Sequence, residues 1–167
     1  MGHKGAPLSN MRIGLGYDIH RLRAGRRLVL GGVEIPSSRG LVGHSDADVL
    51  VHAVMDALLG AVSLGDIGTH FPPGDPEYKD ASSLELLSQV VQLLADGGWQ
   101  AQQVSAVVVA ERPRLTPYVP TMRTRLAERM GITGDAVGIQ VTTNEGLGAI
   151  GQGEGIAAWA TVLVAGR

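Results

Sequence analysis

The sequence predicts an α/β chain of the α+β kind, built as one mixed β-sheet with helices on one face. Three observations lead there. Apolar patterns of period two and period 3.6 follow one another as two strands, two helices, a strand, a helix and two strands. That order is neither strict βαβ alternation nor all-β. Residues 104–110 (VSAVVVA) and 156–165 (IAAWATVLVA) are apolar on both sides, as strands covered on both faces are. Helices on one face leave the other bare, so further copies of the chain are expected to cover it.

Taken in order, residues 1–10 mix Gly, Pro, Ser and Lys without periodicity, which predicts a flexible tail or an added remnant. The remainder, 11–167, is expected to be a single domain long enough to bury a core. Residues 11–17 (MRIGLGY) alternate as a strand does, with 28–35 (LVLGGVEI) as hairpin partner or neighbour. A turn at 40–43 leads into the first helix, with Ser45 or Asp46 expected as its N-cap. Residues 68–81 (GTHFPPGDPEYKDA) hold three of the eight prolines and form a long loop of the kind used as lids or binding loops. Ser82 begins a second amphipathic helix, closed by Gly97 and Gly98. After the strand at 104–110, ERPRLTPYVP is too rich in proline to be regular, and a third helix spans about 120–130. A strand at 137–143, a glycine-rich loop at 146–155 and the strand at 156–165 complete the chain.

Composition narrows the function. A net charge of −2 and 4% aromatic residues argue against a nucleic-acid partner. The absence of cysteine excludes disulfides and thiolate metal sites, so any zinc must be held by His, Asp or Glu. Apolar runs fall short of a bilayer span and the N-terminus has no signal-peptide core. A cytoplasmic protein without a membrane partner is expected, plastidic only in a plant or alga.

The stretch 43–68 (GHSDADVLVHAVMDALLGAVSLGDIG) concentrates the candidate chemistry. His44, Asp48, His52 and Asp56 recur every four residues, a spacing that puts successive members on neighbouring positions of one helix face. Val49, Val54, Ala57, Leu58 and Ala61 fill the other faces, so the helix is expected to pack on a core behind a polar site suited to a metal. Asp18 and His20 flank Ile19 at the end of the first strand. Alternation sends both polar side chains to one side and Ile19 into the core. With His52 they form an Asp-His-His set whose fourth position stays open for a guest. The plainer alternative is a group of hydrogen-bonded strand-end and helix-surface residues.

Two further constellations stand out. Thr142, Thr143, Asn144 and Glu145 precede GLGAIGQGEG; hydroxyls and backbone N–H groups beside glycines suit phosphate oxygens, and Glu145 suits a hard cation such as Mg²⁺. An ordinary turn is the alternative. Residues 110–116 (AERPRLT) form a rigid bend fit to recognise a base or sugar edge, or simply a strand-to-helix connection. Asp66, in LGDIG, is placed either to accept from substrate hydroxyls or to cap the next turn.

Five ordered motifs, RIGLGYDIHRL, GHSDADVLVHAVMDALLGA, LGDIG-x-x-FP, RPRLTPYVPTMR and TTNEGLG-x-x-G-x-GEGIAA, cover the chain from residue 11 onward. Together they resemble the 2-C-methyl-D-erythritol 2,4-cyclodiphosphate synthase family of the non-mevalonate isoprenoid pathway. The resemblance implies a lyase that converts 4-CDP-2-C-methyl-D-erythritol 2-phosphate to the cyclodiphosphate with release of CMP. It implies Zn²⁺ on Asp18, His20 and His52, with Asp18 and His20 also facing substrate, and Mg²⁺ or Mn²⁺ on Glu145 at the substrate diphosphate. It assigns transition-state stabilisation to His44 and Thr143 and a phosphate contact to Ser45. Substrate contacts are implied for Asp66, Ile67, Gly68, Phe71, Pro72 and Asp75. A cytidine pocket is implied for Ala110, Pro113, Arg114, Leu115 and Thr116, with Thr142, Thr143, Asn144 and Glu145 near the phosphates. The implied assembly is a homotrimer with sites at subunit interfaces and three sheets facing a central axis. Gln152 and Ala149 stand where the family usually has an arginine and often an aromatic, and Asn144 and Gly146 replace a usual threonine and lysine beside Glu145. Two rival readings are a zinc-dependent phosphohydrolase of nucleotide diphosphates and a non-catalytic metal-stabilised assembly module.

Overall fold

The structure, a computed structural model, describes residues 10–167. All of the expected tail but Asn10 lies outside the described residues. The first strand, β1, runs Met11–Ala24, seven residues beyond the 11–17 expected for it, because alternation continues through polar residues. Three short strands follow: β2 (Leu28–Leu30), β3 (Val33–Ile35) and β4 (Arg39–Leu41). The segment 28–35 is therefore not the partner of β1. Gly31 and Gly32 both take positive φ, 56° and 72°, which folds the segment back on itself as a separate β2–β3 hairpin. The expected turn at 40–43 is partly β4, paired with the end of β1 through Leu22 and Leu41.

With β5 (Trp99–Val109), β6 (Val137–Thr142) and β7 (Gly155–Gly166), the main sheet has the order β4-β1-β7-β5-β6. Its β5–β6 pair is parallel and the rest antiparallel, so the sheet is mixed as expected. Helix α1 (Val49–Ala61) lies on β1 and β7, and a single turn, α2 (Ile67–His70), follows it. Helices α3 (Ser83–Asp96) and α4 (Val119–Met130) pack in sequence beside it, α4 reaching β6, and α5 (Gly148–Gly151) is one turn in the glycine-rich loop. All large fully buried side chains, among them Leu50, Leu58, Leu87, Met122 and Leu126, belong to this one-sided core.

The strand β1 shows why the core lies where it does. Gly14, Gly16, Asp18 and His20 share one face, and a Cβ on Gly14 or Gly16 would come within 1.8 or 1.9 Å of the carbonyl oxygens of Ala57 or Ala53. Only glycine lets the α1 backbone rest this closely on the strand. The other face carries Ile13, Leu15, Tyr17 and Ile19, which are exposed together with Trp159 of β7. Ile19 therefore does not enter the core as expected; its residue accessibility is 46%. Its apolar character belongs to the bare face of the sheet. Among the described residues, no helix is long and apolar enough to cross a membrane.

Candidate functional site

Strand β1 delivers Asp18 and His20 to the edge of α1, where His52 rises from the second turn. The Oδ2 of Asp18 lies 2.8 Å from His20 Nε2 and 2.9 Å from His52 Nδ1, and the two ring nitrogens are 3.3 Å apart. Among the described residues this is the group of three metal-type side chains whose ligand atoms converge. A tetrahedral ion bound at about 2.0–2.1 Å holds its donors about 3.3 Å apart, so a small opening around Asp18 fits the trio to zinc. Burial works against the Asp18 charge, but hydrogen bonds and charge from the two imidazoles outweigh it and hold the carboxyl well below the usual carboxylate range. The His20 ring, despite its own desolvation, is raised by the bond to Asp18. His20 Nδ1 donates to the Val42 carbonyl at 2.7 Å, which leaves Nε2, now in a hydrogen bond with Asp18, as the nitrogen that would give its lone pair to an ion.

The expected stripe of four residues on one helix face is corrected. His44 precedes the helix, and Asp48 is its N-cap, in place of Ser45 or Asp46, with the side chain accepting from Val51 N. Asp48 is fully buried and also receives Gly31 N at 2.9 Å and Gly32 N at 2.6 Å, fastening the β2–β3 turn to the helix. Asp56 accepts Ile67 N at 2.8 Å and ties α1 to α2. Only His52 of the four contributes to the trio.

The trio opens on a cavity of about 230 Å³ lined by His44, Ser45, Ile67, Gly68 and Phe71 as well as Met55, Pro73, Tyr78 and Leu86. His44 donates from Nε2 to the Asp75 carbonyl at 2.9 Å. Pro73 takes the lining position expected for Pro72. Asp66 caps α2, accepting Thr69 N and Thr69 Oγ1, both at 2.9 Å; those bonds lower its pKa. The loop at 68–81 is built from α2 and a 3₁₀ turn at Pro76–Tyr78.

A larger cleft of about 720 Å³ lies elsewhere, lined by Ala110, Pro113, Arg114, Leu115, Thr116, Thr142 and Thr143. Glu111 and Arg112 of the 110–116 bend line it as well, together with Leu22, Ser37, Ser38, Arg39 and Val141, which were not singled out from sequence as site residues. The cleft and the 230 Å³ cavity share no lining residue, so His44 and Thr143 are not brought into one pocket of a single chain. Asn144 and Glu145 are exposed just past the cleft. Asn144 N donates to Glu111 Oε1 at 2.6 Å, and Glu145 N to Thr143 Oγ1 at 3.3 Å. Sequence reading also missed Ser83 and Asp46. Ser83 Oγ lies 3.0 Å from His52 Nε2 and donates to Asp46. A serine opening a helix reads as a capping residue, and no local signal points to this contact.

A model of the YgbB family matches residues 11–165. The 2-C-methyl-D-erythritol 2,4-cyclodiphosphate synthase of Symbiobacterium thermophilum is 60% identical over 157 residues, 94% of this chain and 100% of that protein. A solved 2C-methyl-D-erythritol-2,4-cyclodiphosphate synthase, in a CDP-bound form, superposes with a TM-score of 0.85 at 40% identity, covering 92% of this chain and 99% of that one. The bifunctional IspDF from Campylobacter jejuni superposes with a TM-score of 0.90 at 36% identity, covering 94% of this chain and 42% of that one.

Proposed function

The chain belongs to the YgbB family of 2-C-methyl-D-erythritol 2,4-cyclodiphosphate synthases, and from that membership we propose how its own residues do the work. It is a phosphorus–oxygen lyase of isoprenoid precursor biosynthesis. The 2-phosphate of 4-CDP-2-C-methyl-D-erythritol 2-phosphate attacks the β-phosphorus of the CDP group; a new P–O bond closes the eight-membered cyclodiphosphate and the bond to CMP breaks. Such a reaction asks the protein for positioning and charge stabilisation and little covalent chemistry. The observation that carries the metal-dependent reading is the convergence of Asp18, His20 and His52 from β1 and α1.

In this reading the trio holds one Zn²⁺ per chain, which when bound polarises and orients phosphate oxygen as a Lewis acid. Glu145 would hold a Mg²⁺ or Mn²⁺, an ordinary partner for a carboxylate, which would supply neutralising charge to the substrate diphosphate. His44, steadied by the Asp75 carbonyl, and Thr143 offer their side chains to the charge that grows on the reacting phosphates. Ser45 is assigned a phosphate contact. Asp66, Ile67, Gly68, Phe71, Pro73 and Asp75 hold the erythritol end. The cleft at Ala110, Pro113, Arg114, Leu115 and Thr116 receives cytidine, with Thr142 and Asn144 beside the phosphates.

Because the cavity of the trio and the cleft have no residue in common, the complete site is assigned to the junction of two copies in a homotrimer closed over the bare sheet face. A cytoplasmic location goes with this reading, or a plastid in a plant or alga. Incubation with 4-CDP-2-C-methyl-D-erythritol 2-phosphate tests it. CMP and a cyclic product are expected; CMP with a linear phosphate would assign a hydrolase, and no turnover a non-catalytic module.

A further inference from the structure

Behind the trio, the outer nitrogen of His52 faces a polar chain of which only Ser45 has been given a part in binding substrate. His52 Nε2 lies 3.0 Å from Ser83 Oγ and 3.1 Å from Ser45 Oγ. Ser83 has no solvent exposure and His52 almost none, so water does not supply these partners. Asp46 grips Ser83 with both oxygens, Oδ2 receiving the backbone N–H at 3.0 Å and Oδ1 the hydroxyl.

The proton count then fixes the ring. A carboxylate only accepts, so the single hydroxyl hydrogen of Ser83 goes to Asp46. Toward His52, Ser83 has only a lone pair left, and Nε2 has to supply the hydrogen. Ser45 is compatible with this, since its oxygen already accepts Ala47 N at 3.2 Å and its hydrogen is free to turn toward Ser83 at 3.5 Å. With a hydrogen held on Nε2, the nitrogen of His52 left to give its lone pair to an ion is Nδ1, which lies 2.9 Å from Asp18 Oδ2 and 3.3 Å from His20 Nε2. His20 reaches the same state by another route, its Nδ1 donating to a backbone carbonyl.

We propose that Ser83, oriented by Asp46, is a positioning residue that locks His52 in the Nε2–H tautomer and so aims Nδ1 at the metal. This rests on the reading of Asp18, His20 and His52 as metal ligands. Outer partners that fix a ligating imidazole change metal affinity by about 10–100-fold when removed. The brace also joins the first turn of α3 to the second turn of α1.

The test pairs long-range ¹H–¹⁵N NMR of metal-free protein with Zn²⁺ competition titrations of wild type, Ser83→Ala, Asp46→Asn and the double variant. A protonated His52 Nε2 in the wild type is expected. A loss of Zn²⁺ affinity of about 10–100-fold is expected in Ser83→Ala, and no added loss when Asp46→Asn is placed on top of it. Circular dichroism checks that the variants stay folded, and the wild-type spectrum needs no variant. An unprotonated His52 Nε2, or Ser83→Ala binding Zn²⁺ as wild type does, overturns the proposal. Wild type that keeps the Nε2 proton yet takes up no Zn²⁺ overturns the metal reading and the aiming role together, whereas Zn²⁺ uptake with Nε2 unprotonated overturns the brace alone.

Discussion

His20 Nε2 and His52 Nδ1 face each other at 3.3 Å although 32 residues separate them, with the ring planes inclined at 61°. One comes from a strand and the other from the helix that lies on it, so neither side chain approaches the other without the packing of α1 on β1. Replacing His52 by alanine takes one donor from a set of three and leaves a carboxylate and one imidazole. On the proposed zinc reading, the expected outcome is zinc content falling from one per chain toward none, with cyclisation lost. The proposed oligomer should persist, because His52 sits on the helix side of the sheet, away from the bare face. Elemental analysis with native mass spectrometry reads both quantities, and a simultaneous collapse of the assembly would instead assign His52 a structural role.

Close contact between β1 and α1 predicts an uneven response to alanine at glycines. At Gly16 the new methyl would lie 1.9 Å from the Ala53 backbone oxygen, so the helix must lift from the strand and carry His52 away from Asp18. A loss of about 3 kcal/mol or more is expected, together with weaker zinc binding. Gly60, inside α1, has nothing within 4 Å of the added carbon, and Gly60→Ala should stabilise by about 0.5–1 kcal/mol. Urea unfolding of both variants checks this, and equal effects would contradict the packing argument.

Asp48 makes the stability depend on pH. Burial, and then the nearby charge of Asp46, push its carboxyl from 3.8 up to about 6, against the bonds from Gly32, Val51 and Gly31. The β2–β3 turn presents only backbone N–H groups to it, and His20 is the titratable neighbour across on β1. A carboxyl raised in the folded state stabilises fully below its ordinary value, and that contribution is lost as pH rises through the folded value. Asp48→Asn does not titrate, and its NH₂ group turns a donor toward backbone donors, so the variant should be less stable throughout. Its deficit should be greatest near about pH 4 and shrink by about 3 kcal/mol by about pH 7. Urea unfolding at several pH values measures it; a deficit independent of pH would refute the assignment.

The sequence carried the order of elements and the one-sided core because long apolar periodicities survive whatever the tertiary context. It carried the trio through residue type and a spacing of two on a strand. It misplaced Ile19 because an apolar residue was assigned to the core of its own chain, whereas on β1 the helix demanded Gly14 and Gly16 and the apolar side chains went to the bare face. The split of 28–35 was missed because two adjacent glycines in an apolar run look like a weak strand until their φ values are known. The link from Asp46 through Ser83 to His52 was illegible. The contact between Asp46 and Ser83 spans 37 residues, and each taken locally has an adequate reading as a turn or helix-start residue.

The bare face yields the last prediction. Leu15 is 68% exposed on β1 beside Ile13, Tyr17 and Ile19, so a charge there costs the single chain little and costs a copy packed against it much. Leu15→Glu is expected to keep the fold by circular dichroism while sedimenting at the mass of one 17.4 kDa chain, whereas the proposed assembly predicts three chains for wild type. Activity should fall with assembly, since the metal trio and the cleft at Ala110 open into separate pockets and one copy alone cannot offer both to a substrate. Mixing is the sharper form of this test. Trimers of His52→Ala and Thr143→Ala chains, each inactive alone, should regain part of the activity when refolded together, because an intact trio on one chain then meets an intact Thr143 on its neighbour. Full activity in monomeric Leu15→Glu, or no recovery in verified mixed trimers, would place the whole site within one chain and defeat the interface reading.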